Sequence, residues 1–181
     1  KSIVAIGSAA FSNCNSLENV YYTGTIDSLC KISFKNFESN PMSYAKHFYI
    51  MDSNNKYSEV FEIEVPSTVT TIGDYVFYGF ENLININISN SVTCIGTSSF
   101  DGCLNLASIE ISNSLESIGD YAFYECVSLN HIIIPKSVTT IGIWAFYDCT
   151  NLTISCESSS RPSGWSSSWN PSHCPVVWGY K

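Results

Sequence analysis

Between residues 60 and 152 the apolar positions follow a strict order. A Val or Leu (Val60, Leu83, Leu106, Leu129) is followed three and five residues later by an apolar pair: Ile63/Val65, Ile86/Ile88, Ile109/Ile111 and Ile132/Ile134. Alternation with period two places such a pair on one face of a strand. Pro66, Ser89, Ser112 or Pro135 comes next, and a proline ends a ladder because it donates no N–H. The dipeptide Ile-Gly then stands at 72/73, 95/96, 118/119 and 141/142, so the whole pattern recurs every 23 residues. Beside the glycine, Asp74, Thr97 and Asp120 are of a type that caps helices, and Phe77, Phe100, Phe123 and Phe146 follow. These residues predict a short helical turn in each unit. Cys103, Cys126 and Cys149, with Phe80 in the same slot, form one more inward column.

An incomplete copy opens the chain, Ile3 to Cys14 with Leu17, Val20 and Tyr22 after it. From Gly7 to Gly73 is 66 residues, well over one period, so an irregular insertion occupies about 21–60. There, Thr25 to Cys30 predicts one short helix and Asn40 to Lys46 a second. His47 to Met51 reads as a strand, turned by Asp52 to Lys56 into a partner at Val60 to Val65. The expectation is a helix pair and hairpin bulging from the array. Residues 1–152 are accordingly read as a solenoid and 153–181, rich in Ser, Trp and Pro, as its C-terminal cap, with Trp165, Trp169 and Trp178 over the last coil.

A 23-residue unit buries its Leu, Ile and Phe only by stacking on the next unit. The predicted fold class is an α/β repeat solenoid, an arc with a parallel sheet on its concave face and short helical turns on its convex face.

Residues 130–152 resemble the repeat unit of the BspA-like, or treponemal-type, leucine-rich repeats, I-x-I-P-x-S-V-T-x-I-G-x-x-A-F-x-x-C-x-x-L. The matching positions are Ile132, Ile134, Pro135, Ser137, Val138, Thr139, Ile141, Gly142, Ala145, Phe146, Cys149 and Leu152. All the copies share the resemblance, and the insertion and tail look like segments of similar bacterial proteins. Phe80 in place of Cys, Ser99 in place of Ala and Ile143 in place of a capping residue are the departures. The resemblance implies a surface-exposed or secreted bacterial protein, or a protist relative, used in adhesion to host proteins, cells or other microbes. It carries over no catalytic residue.

Composition narrows the functional classes. With 45% hydrophobic and 13% charged residues the chain is expected to fold as a globular unit. A net charge of −8 repels phosphate backbones and anionic lipid, which argues against nucleic-acid partners. No apolar run reaches the length of a membrane span, and the opening Lys-Ser-Ile-Val is neither an initiating Met nor a signal peptide, so the chain is expected to begin inside a longer protein. His47, His131 and His173 lie far apart, and no motif for metal, phosphate or nucleophilic chemistry is present. Neither an enzyme nor a cofactor is therefore expected. The periodic cysteines read as a buried ladder rather than a zinc site. Cys156 and Cys174 are the candidate disulfide, closing a loop in an exported protein.

The positions between the inward apolar pairs point away from the core: Asn19, Tyr21, Glu62, Glu64, Asn85, Asn87, Ser108, Glu110, His131 and Ile133. This stripe is the candidate ligand-binding face. The leading expectation is a non-enzymatic adhesin-like protein offering that face to a host or microbial surface protein, extracellular matrix included. Alternatives are a passive spacer in a larger surface protein, and a glycan-binding module that uses the C-terminal Trp residues.

Overall fold

The computed structural model describes residues 3–181. Its strands are β1 (Ala5–Ile6), β2 (Asn19–Tyr22), β3 (Ser33–Phe34), β4 (His47–Met51), β5 (Tyr57–Glu59), β6 (Glu62–Val65), β7 (Thr71–Ile72), β8 (Asn85–Ile88), β9 (Cys94–Ile95), β10 (Ser108–Glu110), β11 (Ser117–Ile118), β12 (His131–Ile134), β13 (Thr140–Ile141), β14 (Thr153–Cys156) and β15 (Val176–Trp178). The α-helix α1 (Ile26–Cys30) follows β2. Because each copy repeats the last, equivalent strands stack in register: Ile63 beside Ile86, Ile86 beside Ile109, Ile72 beside Ile95. Two parallel sheets result, a long one in the order β15-β14-β12-β10-β8-β6 and a narrow one in the order β13-β11-β9-β7. Together they make a parallel β-solenoid, with the leucine and isoleucine columns buried between them except at the half-buried Ile111.

The helical turns expected after each glycine are not there. Among the described residues the chain has α1, capped by Thr25 and Ser28, and two single 3₁₀ turns, Phe37–Ser39 and Pro41–Ser43. After the glycines it makes linked turns instead. Tyr75, Ser98, Tyr121 and Trp144 take positive φ, and so do Gly79, Gly102, Glu125 and Asp148 four residues on. A right-handed helix cannot run through left-handed residues. The intervening amides point sideways to the next coil: those of Tyr75, Phe77 and Gly79 donate to the carbonyls of Thr97, Ser99 and Asp101 at 3.0, 2.9 and 2.8 Å. Asp74 and Asp120, expected to cap their own helices, accept instead from the backbone of Thr97 and Ile143, each at 2.8 Å in the following coil. Backbone groups that a helix would satisfy internally are satisfied between coils.

Two columns fill the core behind these turns. Phe77, Phe100, Phe123 and Phe146 are fully buried and stack face to face, with centroids 5.4, 5.3 and 5.4 Å apart. The thiols of Cys103, Cys126 and Cys149 donate to the carbonyls of Phe77, Phe100 and Phe123, tying each coil to its predecessor at 3.2, 3.2 and 3.0 Å. Burial pushes all three thiols well above the ordinary thiol range and lifts Cys30 and Cys156 to about 12. Since the thiolate is the reactive form, a maleimide or dithiobis-nitrobenzoate titration of native protein is expected to modify the half-exposed Cys14 and Cys94 promptly. The six buried cysteines should react only on unfolding, and rapid native labelling of more than two would contradict the ladder.

The insertion is not a bulge. Ala5 pairs with Ser33 and Asn19 with His47, an offset of 28 residues in both ladders, so residues 19–46 form another coil of the solenoid with its repeat signature erased. A hairpin is present but with another partner: β5 (Tyr57–Glu59), not the expected Val60 to Val65, runs antiparallel to β4, with Tyr57 opposite Met51. The chain then turns at Val60–Phe61 into β6, which pairs with β8.

At the other end, the tail adds β14 and β15 to the long sheet. Trp165 and Trp169 are only 3% and 6% exposed, and the Trp165 indole N–H donates to the carbonyl of Val138 at 3.1 Å. Trp169 packs edge-on against Phe146 and ends the phenylalanine stack. Trp178 touches both rings but stays 36% exposed. The candidate disulfide does not form: Cys156 and Cys174 are free thiols. Cys156 sits opposite Trp178 on β15, four residues beyond Cys174, which is roughly 13 Å along a strand and too far to bridge. Cys174 instead extends the thiol ladder, with its sulfur 3.4 Å from the Cys149 carbonyl oxygen.

On the turn side, the Ser98 hydroxyl donates to the Asp101 carboxylate at 3.0 Å. Burial, and then Glu125, push that carboxyl up to about 7 against this hydrogen bond. The unfolded chain ionises this group near pH 3.8, so between pH 3.8 and about 7 the folded state holds the extra proton and stability falls as pH rises. The contribution is complete below the lower value and gone above the upper. Asp101→Asn is expected to raise Tm at pH 8 and leave it nearly unchanged at pH 4. Thermal melts across that range check this, and a lower Tm at pH 8 would refute it.

Candidate binding face

The open face of the long sheet is built from the residues that alternate with the buried pairs. Register sets them in two rows. Glu62, Asn85, Ser108, His131 and Thr153 lie side by side across five strands, and Glu64, Asn87 and Glu110 across three, with Ile133 opposite Ser155 further on. Glu62, Glu64, Ser108, Glu110, His131 and Ile133 are exposed, whereas Asn85 and Asn87 are half-buried between strand neighbours. The Ser108 hydroxyl donates to the Asn85 side-chain carbonyl at 2.9 Å. At the far end His131 lies 3.0 Å from the Ser155 hydroxyl and is flanked by Tyr180, so the stripe closes there.

The ladder between β10 and β12 is short. It pairs only Ser108 with His131, while neighbouring joints pair three or four residues. The strands part beyond that point into a crevice of about 520 Å³, with Glu110, Ile111, Asn113, His131, Ile133 and Tyr180 among its walls.

Asn19 and Tyr21 are on a different sheet from the other eight residues, the order β2-β4-β5. There the structure adds residues that the sequence reading left out. Tyr49 pairs with Tyr21 and the two rings stack at 4.9 Å and 15°, while Tyr57 meets Tyr21 edge-on at 5.1 Å. Desolvation, helped by Glu59 and Tyr21, raises the Tyr49 hydroxyl above its ordinary value. His47 contacts Glu59 at 2.6 Å, and the Asn82 amide donates to that carboxylate at 3.0 Å, joining β4 and β5 to the next coil. The signal for this cluster was the alternation His47, Tyr49, Met51 in a segment already recognised as a strand. Treating the insertion as a bulge kept it off the face.

The Trp165 and Trp169 faces are spent on the last coil, which removes the glycan-stacking role considered for them. No group of three or more His, Cys, Asp or Glu side chains is placed to hold a metal among the described residues. No described helix is long and apolar enough to cross a membrane.

Two stacked parallel ladders, a continuous buried row of rings and thiols, and one unobstructed sheet face define a repeat scaffold of the β-solenoid class. The chain belongs to the BspA-type leucine-rich-repeat family. The family model described as "BspA type Leucine rich repeat region" matches it in six copies over residues 1–79 and 48–161. It is 38% identical to a leucine-rich repeat protein of Bacteroides ovatus over 59% of this chain and 31% of that one, with a TM-score of 0.50. A leucine rich cell surface protein of Faecalibacterium prausnitzii shares the fold at 23% identity, over 84% of this chain and 45% of that one, with a TM-score of 0.60. The pneumococcal vaccine antigen PcpA does so at 18% identity, over 90% and 43%, with a TM-score of 0.58. The chain thus spans less than half the length of each of these three structures. No curated protein matches it.

Proposed function

We propose that this chain is a non-enzymatic binding module of a bacterial cell-surface or secreted protein, and that the open face of its sheet engages a partner protein such as a host or matrix component. The observation that carries the reading is the cluster of Tyr21, Tyr49 and Tyr57 on one sheet together with the outward rows from Glu62 to Ile133 on the other. Tyr21 is 57% exposed and Tyr57 37%, with no core to cover them. Exposed tyrosines on a rigid support are characteristic of the anchors of protein interfaces. A solenoid holds such a surface rigid because each inner strand of the stack is fixed by two neighbours. Similarity to a leucine rich cell surface protein supports the surface location.

The test is binding to an array of extracellular-matrix proteins and glycans, repeated with Glu62, Asn85, Glu110 and His131 all changed to Ala. A protein spot that lights up for the native chain and is lost in the quadruple variant supports the reading. Silence across the array leaves the coils as a spacer.

A further inference from the structure

The composition of the open face is one-sided. Glu62, Glu64 and Glu110 stand exposed on its strands, and no residue of β1 to β15 is Lys or Arg. The basic residues nearest in sequence, Lys46, Lys56 and Lys136, fall in turns at the strand ends, and Lys31 is paired with Asp27 at 2.7 Å. On the neighbouring sheet β2-β4-β5 lie the three tyrosines, with the ring of Tyr21 stacked on Tyr49 and met by Tyr57, and with Glu59 opposite Tyr49. The face of a tyrosine ring is the negative side of its quadrupole, so rings and carboxylates favour the same sign of ligand.

We propose that the occupant of this face is a cationic, arginine-bearing segment of a protein partner. One guanidinium stacks on the Tyr21–Tyr49–Tyr57 cluster, and further basic side chains lie against Glu62, Glu64 and Glu110. The proposal rests on the face being the binding surface and adds the chemistry of what it binds. A neutral glycan would have to desolvate three carboxylates and gain no charge pairing in return, and an anionic ligand meets repulsion. Arginine fits better than lysine because its planar, weakly hydrated guanidinium stacks on aromatic rings and pairs in a fork with carboxylates.

Fluorescence anisotropy of the purified chain with labelled (Arg-Ser)₆, (Lys-Ser)₆ and (Glu-Ser)₆ peptides, at low and high salt, tests this, with unlabelled maltohexaose as competitor. Three variants accompany the native protein: Y21L/Y57L, E62Q/E64Q/E110Q, and D101N/E125Q/D148N on the turn side, with binding measured at pH 8.5, where Asp101 is ionised and the last two change net charge equally. The arginine peptide is expected to bind in a salt-sensitive way, at least tenfold tighter than the lysine peptide. Either face variant should weaken it tenfold or more and the turn-side variant less than twofold. Equal losses in the two charge variants would mean attraction to net charge alone and overturn the proposal. So would an unaffected tyrosine variant, or displacement of the arginine peptide by maltohexaose. If the quadruple alanine variant loses its array partner while the native chain ignores the arginine peptide, the face remains the binding surface and only its cationic occupant is refuted.

Discussion

Gly119→Ala is expected to unfold or severely loosen the solenoid, although it adds a single methyl group. A Cβ at Gly119 would stand 2.6 Å from both the Gly96 carbonyl carbon and the Thr97 nitrogen. Those are backbone atoms of the preceding coil, held by the Gly119 amide's own bond to Ile95 and by Asp74 on the Thr97 amide. They cannot step aside as a side-chain end would. To admit the methyl the two coils must separate, and separation strips the lateral hydrogen bonds on which every turn depends. The expected cost exceeds the roughly 1–3 kcal/mol usual for overpacking. The same column supplies its own controls. At Gly7 a Cβ would meet nothing within 4 Å, and at Gly73 only a Val76 methyl carbon at 3.4 Å. Alanine at either position should therefore be near neutral, and urea denaturation of the three variants side by side checks this. Equal stability of Gly119→Ala and Gly73→Ala would show that the coil spacing is softer than the structure requires.

Phe123→Ala is expected to cost about 3–5 kcal/mol, the range for removing a buried aromatic ring. Phe123 is fully buried between Phe100 and Phe146, parallel to them within 2° and 6°. Its carbonyl accepts the Cys149 thiol, so the backbone around it is pinned and cannot collapse into the vacated space. A central coil also breaks the array in two, since each coil contacts only its neighbours. Circular dichroism and urea melts of the variant should show an earlier, broader transition. Phe123→Leu should recover part of the loss, because it refills volume without restoring the stack. A loss below about 1 kcal/mol would mean that the stack is not continuous packing.

Much of this was legible in the sequence because it depends on recurrence. The 23-residue spacing of Ile-Gly, the alternation within each strand and the Phe and Cys columns are local patterns. Any chain that repeats them must bury the same positions each time, and the structure does bury Phe77 to Phe146 and Cys103 to Cys149. The outward positions from Glu62 to Ile133 follow by subtraction. The strand His47–Met51 and the short helix at Ile26–Cys30 were also readable within the insertion.

Which side chains face inward, and how often, is therefore a matter of the repeat pattern. Periodicity is a property of one chain segment and needs no neighbour to be read. Tertiary structure alone decided where the backbone hydrogen bonds go. The turns after each glycine are not helices because the next coil is close enough to accept their amides, a distance that no single repeat contains. The same closeness distinguishes Gly119 from Gly7, turns the irregular residues 19–46 into a coil, and carries Cys174 into the thiol ladder rather than to Cys156. It also brings Tyr21, Tyr49 and Tyr57, up to 36 residues apart in the chain, into one exposed cluster. Stacking sets these contacts, and stacking is a relation between coils.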